Sequence, residues 1–349
     1  MLNRLLENPL LAPSDVEPTR DDLHVLCTLN PGTARYENET ILLVRVGERV
    51  TQQAGYVSYI YFDEDSQDLK VGHYSRKDPK LSCPDGRLYH YDGKMVLTSM
   101  SHLRVARSSD GINFKFDDQP AIYPANAYEA YGCEDPRITK LGDTFYITYT
   151  AVSGRGVTVA LVSTKDFITF RRHGIIFPPY QKDVVIFPEK IQGKFVCRHR
   201  PYKSEFNQAC IWTAYSPDLF SWGFHDLTLS PRADTWDSER VGCGGVPIKT
   251  EQGWLEIYHA SDNSGKYHLG AMLSDLEEPH KVIARGDTPV FEPQAEYELD
   301  GIYGNCVFTN GLIAEPDGEL KIYYGAADRI CACALTTIDE MIAAALNKI

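Results

Sequence analysis

The sequence predicts an all-β fold, a five-bladed β-propeller with a short C-terminal helix, and three observations predict it. Short apolar runs alternate with polar residues between Gly, Asp, Pro and Asn. Helical periodicity is confined to Ile338 to Ile349. One strand, strand and turn unit recurs at a spacing of roughly fifty to sixty residues.

The units can be followed in order. An apolar strand, ILLVRV, begins at Ile41 and lacks the turn signature. KMVLTSMSHLRVARSSDGINF starts at Lys94, TFYITYTAVSGRGVTVALVSTKDFITF at Thr144 and KFVCRHRPYKSEFNQACIWTAYSPDLFSW at Lys194. GWLEIYHASDNSGKYHLGAMLSDLEEP starts at Gly253 and ELKIYYGAADRICACALTTIDEM at Glu319. Units of about four strands suit radial repetition, which leaves only short sheet edges. A solenoid would need more uniform units, and a sandwich would leave the period unexplained. The expectation is one propeller domain over residues 1–349, its ring closed on the first strand by chain from elsewhere. The stretch Arg49 to Arg87 matches no unit. Asp110, Asp166, Asp218 and Asp275 mark the recurrent turn, where a short acid caps its own backbone, which is architecture and not catalysis.

Composition narrows the function. Hydrophobic residues make up 43% and aromatics 11%, which describes an ordinary folded core. A net charge of -13 without any basic block gives nucleic acid and anionic membranes no electrostatic hold. No stretch approaches the roughly 18 apolar residues of a membrane span, and the first fifteen residues are not a signal peptide. Nine cysteines, without metal-ligand spacing, read as reduced thiols of a cytoplasmic protein, and no metal site is expected.

In a propeller the innermost strands line the central channel, so polar residues that interrupt them converge. Arg45, Arg200 beside His199, His259 and Asp328 each end such a strand, and Ser101 and His102 interrupt another. Singly each reads as a salt bridge or a capped turn. Recurring at one position on several blades, they point to a ligand, because converging unpaired charges are costly. The segment Gly132-Cys133-Glu134-Asp135-Pro136-Arg137 displays carboxylates before a strand, since Pro136 excludes a helix there. Neighbouring side chains alternate sides in extended chain. One of Glu134 and Asp135 therefore faces the channel while the other pairs locally, with Arg137 as the candidate partner.

Taken together, Asn30 with Arg45, SHLRVARSSDGINF, GCEDPRITKLGDTFYITYT, KDVVIFPEKIQGKF with His199-Arg200-Pro201, VGCGGVPIKTEQGWLEIYHA, and IYYGAAD ending at Asp328 resemble glycoside hydrolase family 130. These are the inverting β-mannoside phosphorylases and β-mannosidases, five-bladed propellers, and the resemblance spans nearly the whole chain. It implies Asp135 as proton donor, acting through a sugar hydroxyl. It implies Asn30, Arg45 and Asp328 as residues binding the mannosyl unit, and Lys182, Arg200, Arg240 and His259 as phosphate ligands. Ser101 and His102 are candidates for the acceptor sugar. Lys182-Asp183 stands where an Arg-Asn pair is familiar, and Arg240 where a Lys is. A carboxylate beside phosphate is tolerable only if Asp183 turns away or pairs with a Lys. The implied reaction is reversible phosphorolysis of β-1,2- or β-1,4-manno-oligosaccharides to α-mannose 1-phosphate, with no cofactor beyond inorganic phosphate as co-substrate.

The chemistry agrees with that implication. An inverting hydrolase needs two carboxyl groups, one to protonate the leaving oxygen and one to activate water, whereas a phosphorylase needs only the first and a cationic face opposite it. Two alternatives remain. One is a β-mannosidase with Glu134, Asp183 or Glu239 as base; the other is a carbohydrate-binding propeller without turnover. Tyr131, Tyr258, Tyr303, Trp236 and Trp254 are candidates for sugar stacking or for core. Glu189 and Lys190 read as an exposed turn pair. Gly242, Gly244 and Gly245 form no dinucleotide fingerprint, since no βαβ unit surrounds them. A homo-oligomer is possible on family grounds, and no seam in the sequence defines one.

Overall fold

A computed structural model describes residues 2–83 and 89–348. The outermost residue of the expected helix, Ile349, and Arg87, which bounds the unmatched stretch, lie outside the described residues.

Strands dominate, joined by two short α-helices, Glu296–Leu299 and Ile338–Ala345. The second occupies most of the expected helical span. Its N-cap is Thr337, whose hydroxyl accepts from Glu340 N, and Met341, Ile342 and Ala345 are buried against the strands beneath. The four-residue helix was not expected, since one turn carries no periodicity to read.

The strands form five antiparallel meanders in chain order. The first holds Leu23–Tyr36, Glu39–Val50, Ser99–Ser108 and Lys115–Phe116. The second holds Gly132–Leu141, Thr144–Ser153, Gly156–Thr164 and Phe170–Phe177; one parallel bridge, Gly132 to Ser101, joins it to the first. The third holds Gln181–Ile186, Phe195–Pro201, Ile211–Ser216 and Gly223–Leu229. The fourth holds Arg240–Cys243, Gly253–Ser261, Tyr267–Ser274 and Val282–Arg285. The fifth holds Val307–Ala314, Glu319–Ala326 and Ile330–Thr337, and it is completed from the other end of the chain by Asn3–Arg4, which pairs with Leu335 and Ala334.

This arrangement amends three expectations. The Ile41 and Lys94 units are one sheet, because Thr40 to Arg49 pair residue by residue with Ser108 to Ser99. The closing strand is Asn3–Arg4 and not the Ile41 strand. The runs taken as innermost, from Thr144, Lys194, Gly253 and Glu319, are second strands; the first strands contact one another at the centre, Leu23–Tyr36 touching both Val307–Ala314 and Gly132–Leu141, and the latter touching Gln181–Ile186. The unmatched stretch and the start of the Lys94 unit together form an insertion between Val50 and Ser99, a hairpin Tyr56–Asp63 and Asp68–Ser75 followed by three short strands, Leu81–Ser82, Tyr89–Tyr91 and Lys94–Val96.

Alternate side chains of a strand point to opposite faces, and here both faces are buried. Ile41 and Leu43 pack with Ile147 and Val162 of the second meander, while Leu42 and Val44 pack with Tyr323 and Cys333 of the fifth. Similar layers join second to third (Leu161, Ile186), third to fourth (Val185, Val241) and fourth to fifth (Ile257, Ile322). The apolar layers therefore run round the molecule and return to their start. At the outer turns Asp110, Asp166, Asp218 and Asp275 each accept two backbone N–H groups two and three residues on, as their recurrence implied.

All nine cysteines are unpaired, and all but Cys83 are buried. Among the described residues no helix is long and apolar enough to cross a membrane.

Candidate active site

Four of the five first strands lose register in their course, between Leu29 and Gly32, Glu134 and Arg137, Lys182 and Val185, and Thr309 and Gly311, the first of them also between Val25 and Cys27. In three of these bulges a short polar residue takes the left-handed conformation: Asn30 (φ 48°), Asp135 (φ 51°) and Asp183 (φ 55°). Asn and Asp tolerate that region better than other residues with a Cβ, and a bulge re-aims the side chain it carries. The polar groups are thus turned out of the ladder at the middle of the molecule.

A cavity of about 400 Å³ opens there, lined by Asn30, Arg45, Asp135, Lys182, Arg200, Arg240 and Asp328 together with Tyr202, Lys203, Tyr267, Tyr303 and Phe308. A larger groove of about 780 Å³ lies along residues 112–119 and the N-terminal segment, and it contains none of these converging side chains.

On one wall Asp135 Oδ1 accepts from Asn30 Nδ2 at 2.9 Å and from Arg45 Nη1 at 3.2 Å. Arg45 also donates to Glu134 Oε1 at 2.7 Å and to Ser101 Oγ at 3.1 Å. Glu134 does not pair locally with Arg137, the partner that alternation suggests; its partner is Arg45, and the bulge lets both consecutive carboxylates reach that one guanidinium. Burial alone would raise the Asp135 carboxyl, but Arg45 and then Lys182 outweigh it and hold the group below its usual range. Asp328 is pushed up to about 6, first by burial and then, against the pull of Arg45, by Asp135 and Glu134. It makes no hydrogen bond or ion pair among the described residues.

The opposite wall is cationic. Lys182 lies with Nζ 5.5 Å from the Tyr202 ring centroid and makes no salt bridge among the described residues. Arg240 donates to Tyr267 Oη at 3.2 Å, while its buried Nε has no partner. Lys203 is taken up by Glu239 at 2.7 Å. Beneath this wall Asp183, with no exposed surface, accepts from Arg200 Nε at 2.6 Å and Arg137 Nη2 at 3.3 Å, with His259 Nε2 also at 3.3 Å. These cations outweigh its burial and keep it well below the usual carboxylate range. The doubt raised by Lys182-Asp183 is thereby resolved: the carboxylate turns inward and braces Arg200. Gly242 permits the approach, since a Cβ there would stand 2.1 Å from His259 Nε2 and 2.7 Å from Asp183 Oδ2.

Three candidates stand apart from the cavity. His259 lies one layer behind it, against Phe308 at 4.0 Å between ring centroids, and burial pushes its imidazole down to about 4, so it is neutral at pH 7. Ser101 touches Arg45 and not the cavity. His102 is fully buried with Nε2 3.7 Å from Glu48, because alternation along its strand sends it to the other face. Among the aromatics Tyr303 lines the cavity, Trp254 and Tyr258 are core, Trp236 lies over Tyr258, and Tyr131 belongs to a separate groove. Glu189 pairs with Lys249 at the surface. Sequence reasoning missed Tyr202, Lys203, Tyr267 and Phe308. The first two directly follow His199-Arg200-Pro201 and were within reach of the argument; the other two depend on how sheets meet.

A cavity with carboxyl groups and an amide on one wall, and two guanidinium groups and an ammonium on the other, is a site for a polar ligand together with an anion. Residues 87–346 match the glycoside hydrolase family 130 profile, described as beta-1,4-mannooligosaccharide phosphorylase. A beta-1,2-mannobiose phosphorylase of Listeria innocua serovar 6a is 42% identical over 344 residues, 97% of each chain. A 1,2-beta-oligomannan phosphorylase of Thermoanaerobacter sp. (strain X514) is 41% identical over 245 residues, 69% of this chain and 80% of that one. The solved structure of the Listeria innocua enzyme in complex with beta-1,2-mannobiose superposes with a TM-score of 0.92 at 41% identity, covering 99% of both chains. The chain belongs to glycoside hydrolase family 130.

Proposed function

We propose that the protein is a β-mannoside phosphorylase that transfers the terminal mannosyl unit of a β-1,2- or β-1,4-manno-oligosaccharide to inorganic phosphate with inversion. The observation that carries this reading is a cationic wall facing the cavity's acids: both of these, Asp135 and Asp328, lie together beside Arg45, and neither stands on the cationic side. Asp183, beneath the cationic wall, has no exposed surface and is locked between Arg200 and Arg137. Glu239 is occupied by Lys203, and Glu134 by Arg45.

In this reading Asp135 protonates the leaving oxygen, relayed by a sugar hydroxyl, and Asn30, Arg45 and Asp328 hold the mannosyl unit. Lys182, Arg200 and Arg240 bind phosphate, each charge-assisted bond contributing on the order of 1.5–3 kcal/mol. His259 contributes through Asp183. Asp135 is ionised in the free protein, and Lys182 is among the groups that keep it so. A phosphate dianion on Lys182 cancels that influence and raises the Asp135 carboxyl toward protonation. Phosphate would thus help charge the acid that its own attack requires.

The five meanders are read as the blades of a propeller spanning residues 1–349, supported by the apolar layers that return to their start. Inorganic phosphate is the co-substrate, and no metal or cofactor has a part. Eight buried thiols and one exposed, none paired, favour a cytoplasmic enzyme. The test is release of mannose 1-phosphate from β-1,2- and β-1,4-mannobiose with and without inorganic phosphate. Phosphate-dependent sugar phosphate from either is expected; equal release of free mannose in both buffers would make it a hydrolase.

A further inference from the structure

The insertion between Val50 and Ser99 leaves the end of a second strand and returns at the start of a third, which is the end of the sheets where the cavity opens. Val50 N donating to Thr98 O at 2.9 Å closes its base. Its hairpin tip reaches the second meander, where Arg155 donates to Glu64 Oε1 at 2.7 Å and lies over Tyr128 at 5.3 Å.

The insertion carries a stack of phenol rings. Tyr59 lies on Tyr74 at 4.4 Å and Tyr74 on Tyr91 at 3.7 Å, both nearly parallel, with Tyr61 beside Tyr59 at 5.7 Å. These four and Tyr131 line a groove of about 370 Å³, completed by Ile60, Asp92 and residues 94–97. Tyr131 immediately precedes the strand that carries Glu134 and Asp135. At about 3.3 Å per residue, four residues of chain put Tyr131 within roughly 13 Å of Asp135.

The groove and the cavity differ in chemistry. The cavity is cationic; the groove has phenol edges and hydroxyls, and among the described residues Asp92 and Lys94 are its only charges. Tyrosine offers rigid apolar area and a polar edge at low conformational cost, which suits a neutral polyhydroxylated chain.

We propose that the tyrosine groove holds the distal, non-reacting end of a β-mannoside oligosaccharide whose terminal mannosyl unit occupies the cavity, so that the enzyme selects for chain length. This rests on the phosphorylase reading and adds a site outside the catalytic cavity. Tyr61, 38% exposed, is the most exposed of the five tyrosines.

The experiment has two parts. In phosphate, kcat/KM is measured for wild type, Tyr61→Ala and Tyr131→Ala on mannobiose and on mannotetraose, in both the β-1,2 and β-1,4 series. Without phosphate, binding of the same sugars is measured by calorimetry. Loss of about tenfold on the tetraose with mannobiose unchanged is expected. Equal losses on both, or none on either, would overturn the proposal. A Tyr61→Ala variant that changes from dimer to monomer in light scattering, with chain-length preference intact, would assign the groove to a second copy instead. If no mannoside yields mannose 1-phosphate, the phosphorylase reading fails, while tetraose binding that depends on Tyr61 still sustains the groove.

Discussion

Asp135 and Asp183 occupy the same place in successive first strands. Both sit in a bulge, both are left-handed, and both answer to arginine. Their surroundings separate them. Asp135 shares Arg45 with Glu134 and keeps a face on the cavity; Asp183 is closed off between two guanidinium groups and an imidazole. The repeat supplies a carboxylate at each position, and the cations that the neighbouring sheets bring decide whether it does chemistry or braces other residues. A buried acid compensated twice cannot take a proton from water, so the contrast between the two aspartates is also the contrast between phosphorolysis and hydrolysis.

The comparison breaks most sharply at Asp135. Asp135→Asn is expected to lower kcat by about 10³-fold or more with thermal unfolding little changed, since the isosteric amide cannot donate as an acid. Near-normal turnover would remove it from the proton path.

Asp183→Ala should do the reverse, costing about 3–5 kcal/mol in denaturant unfolding because Arg200 and Arg137 are left buried without their counter-charge. A variant as stable as wild type would show that the cage is not structural. On the cationic wall, Arg240→Ala is expected to raise the KM for phosphate by one to two orders of magnitude with the mannoside KM nearly constant, corresponding to about 1.5–3 kcal/mol for one charge-assisted contact. Equal effects on both substrates would move Arg240 out of the anion site.

The smallest effect concerns Asp328, and its sign is opposite to that of Asp183. Its folded-state carboxyl lies at about 6, above the ordinary 3.8, so the native state binds this proton more tightly than the unfolded chain. The group therefore destabilises the fold above about pH 6, and the penalty fades as pH falls toward about 4. Asp328→Asn should gain on the order of 1–3 kcal/mol at pH 7.5 and nothing at pH 4, read by urea unfolding at the two pH values. A gain independent of pH would dissociate the carboxyl from the effect. Asp183, held low, contributes stability above its unfolded value and loses it only in strong acid.

Much of this was legible beforehand. The strand and turn repeat, the capped Asp turns, the C-terminal helix and seven cavity residues follow from period, turn chemistry and resemblance. The phase of the repeat did not. Second strands such as Thr144–Ser153 are as apolar as first strands because both faces of each are buried, so hydrophobicity cannot say which lies nearest the centre. Ser101 and His102 misled for a related reason: they interrupt an apolar strand, but it is the third of its sheet, and alternation turns His102 toward Glu48.

By itself the sequence determined the all-β class and the family, and it pointed to Asp135 and to the basic residues that could face it, because these depend on local pattern and residue type. The tertiary structure decided which charges meet. Whether Asp183 opposes phosphate or braces Arg200, whether Glu134 pairs with Arg45 or Arg137, and whether His259 lines the cavity or stands behind it all depend on distances of a few ångströms between strands far apart in the chain. Coulomb interactions and burial vary steeply over such distances, and nothing local in a sequence encodes them.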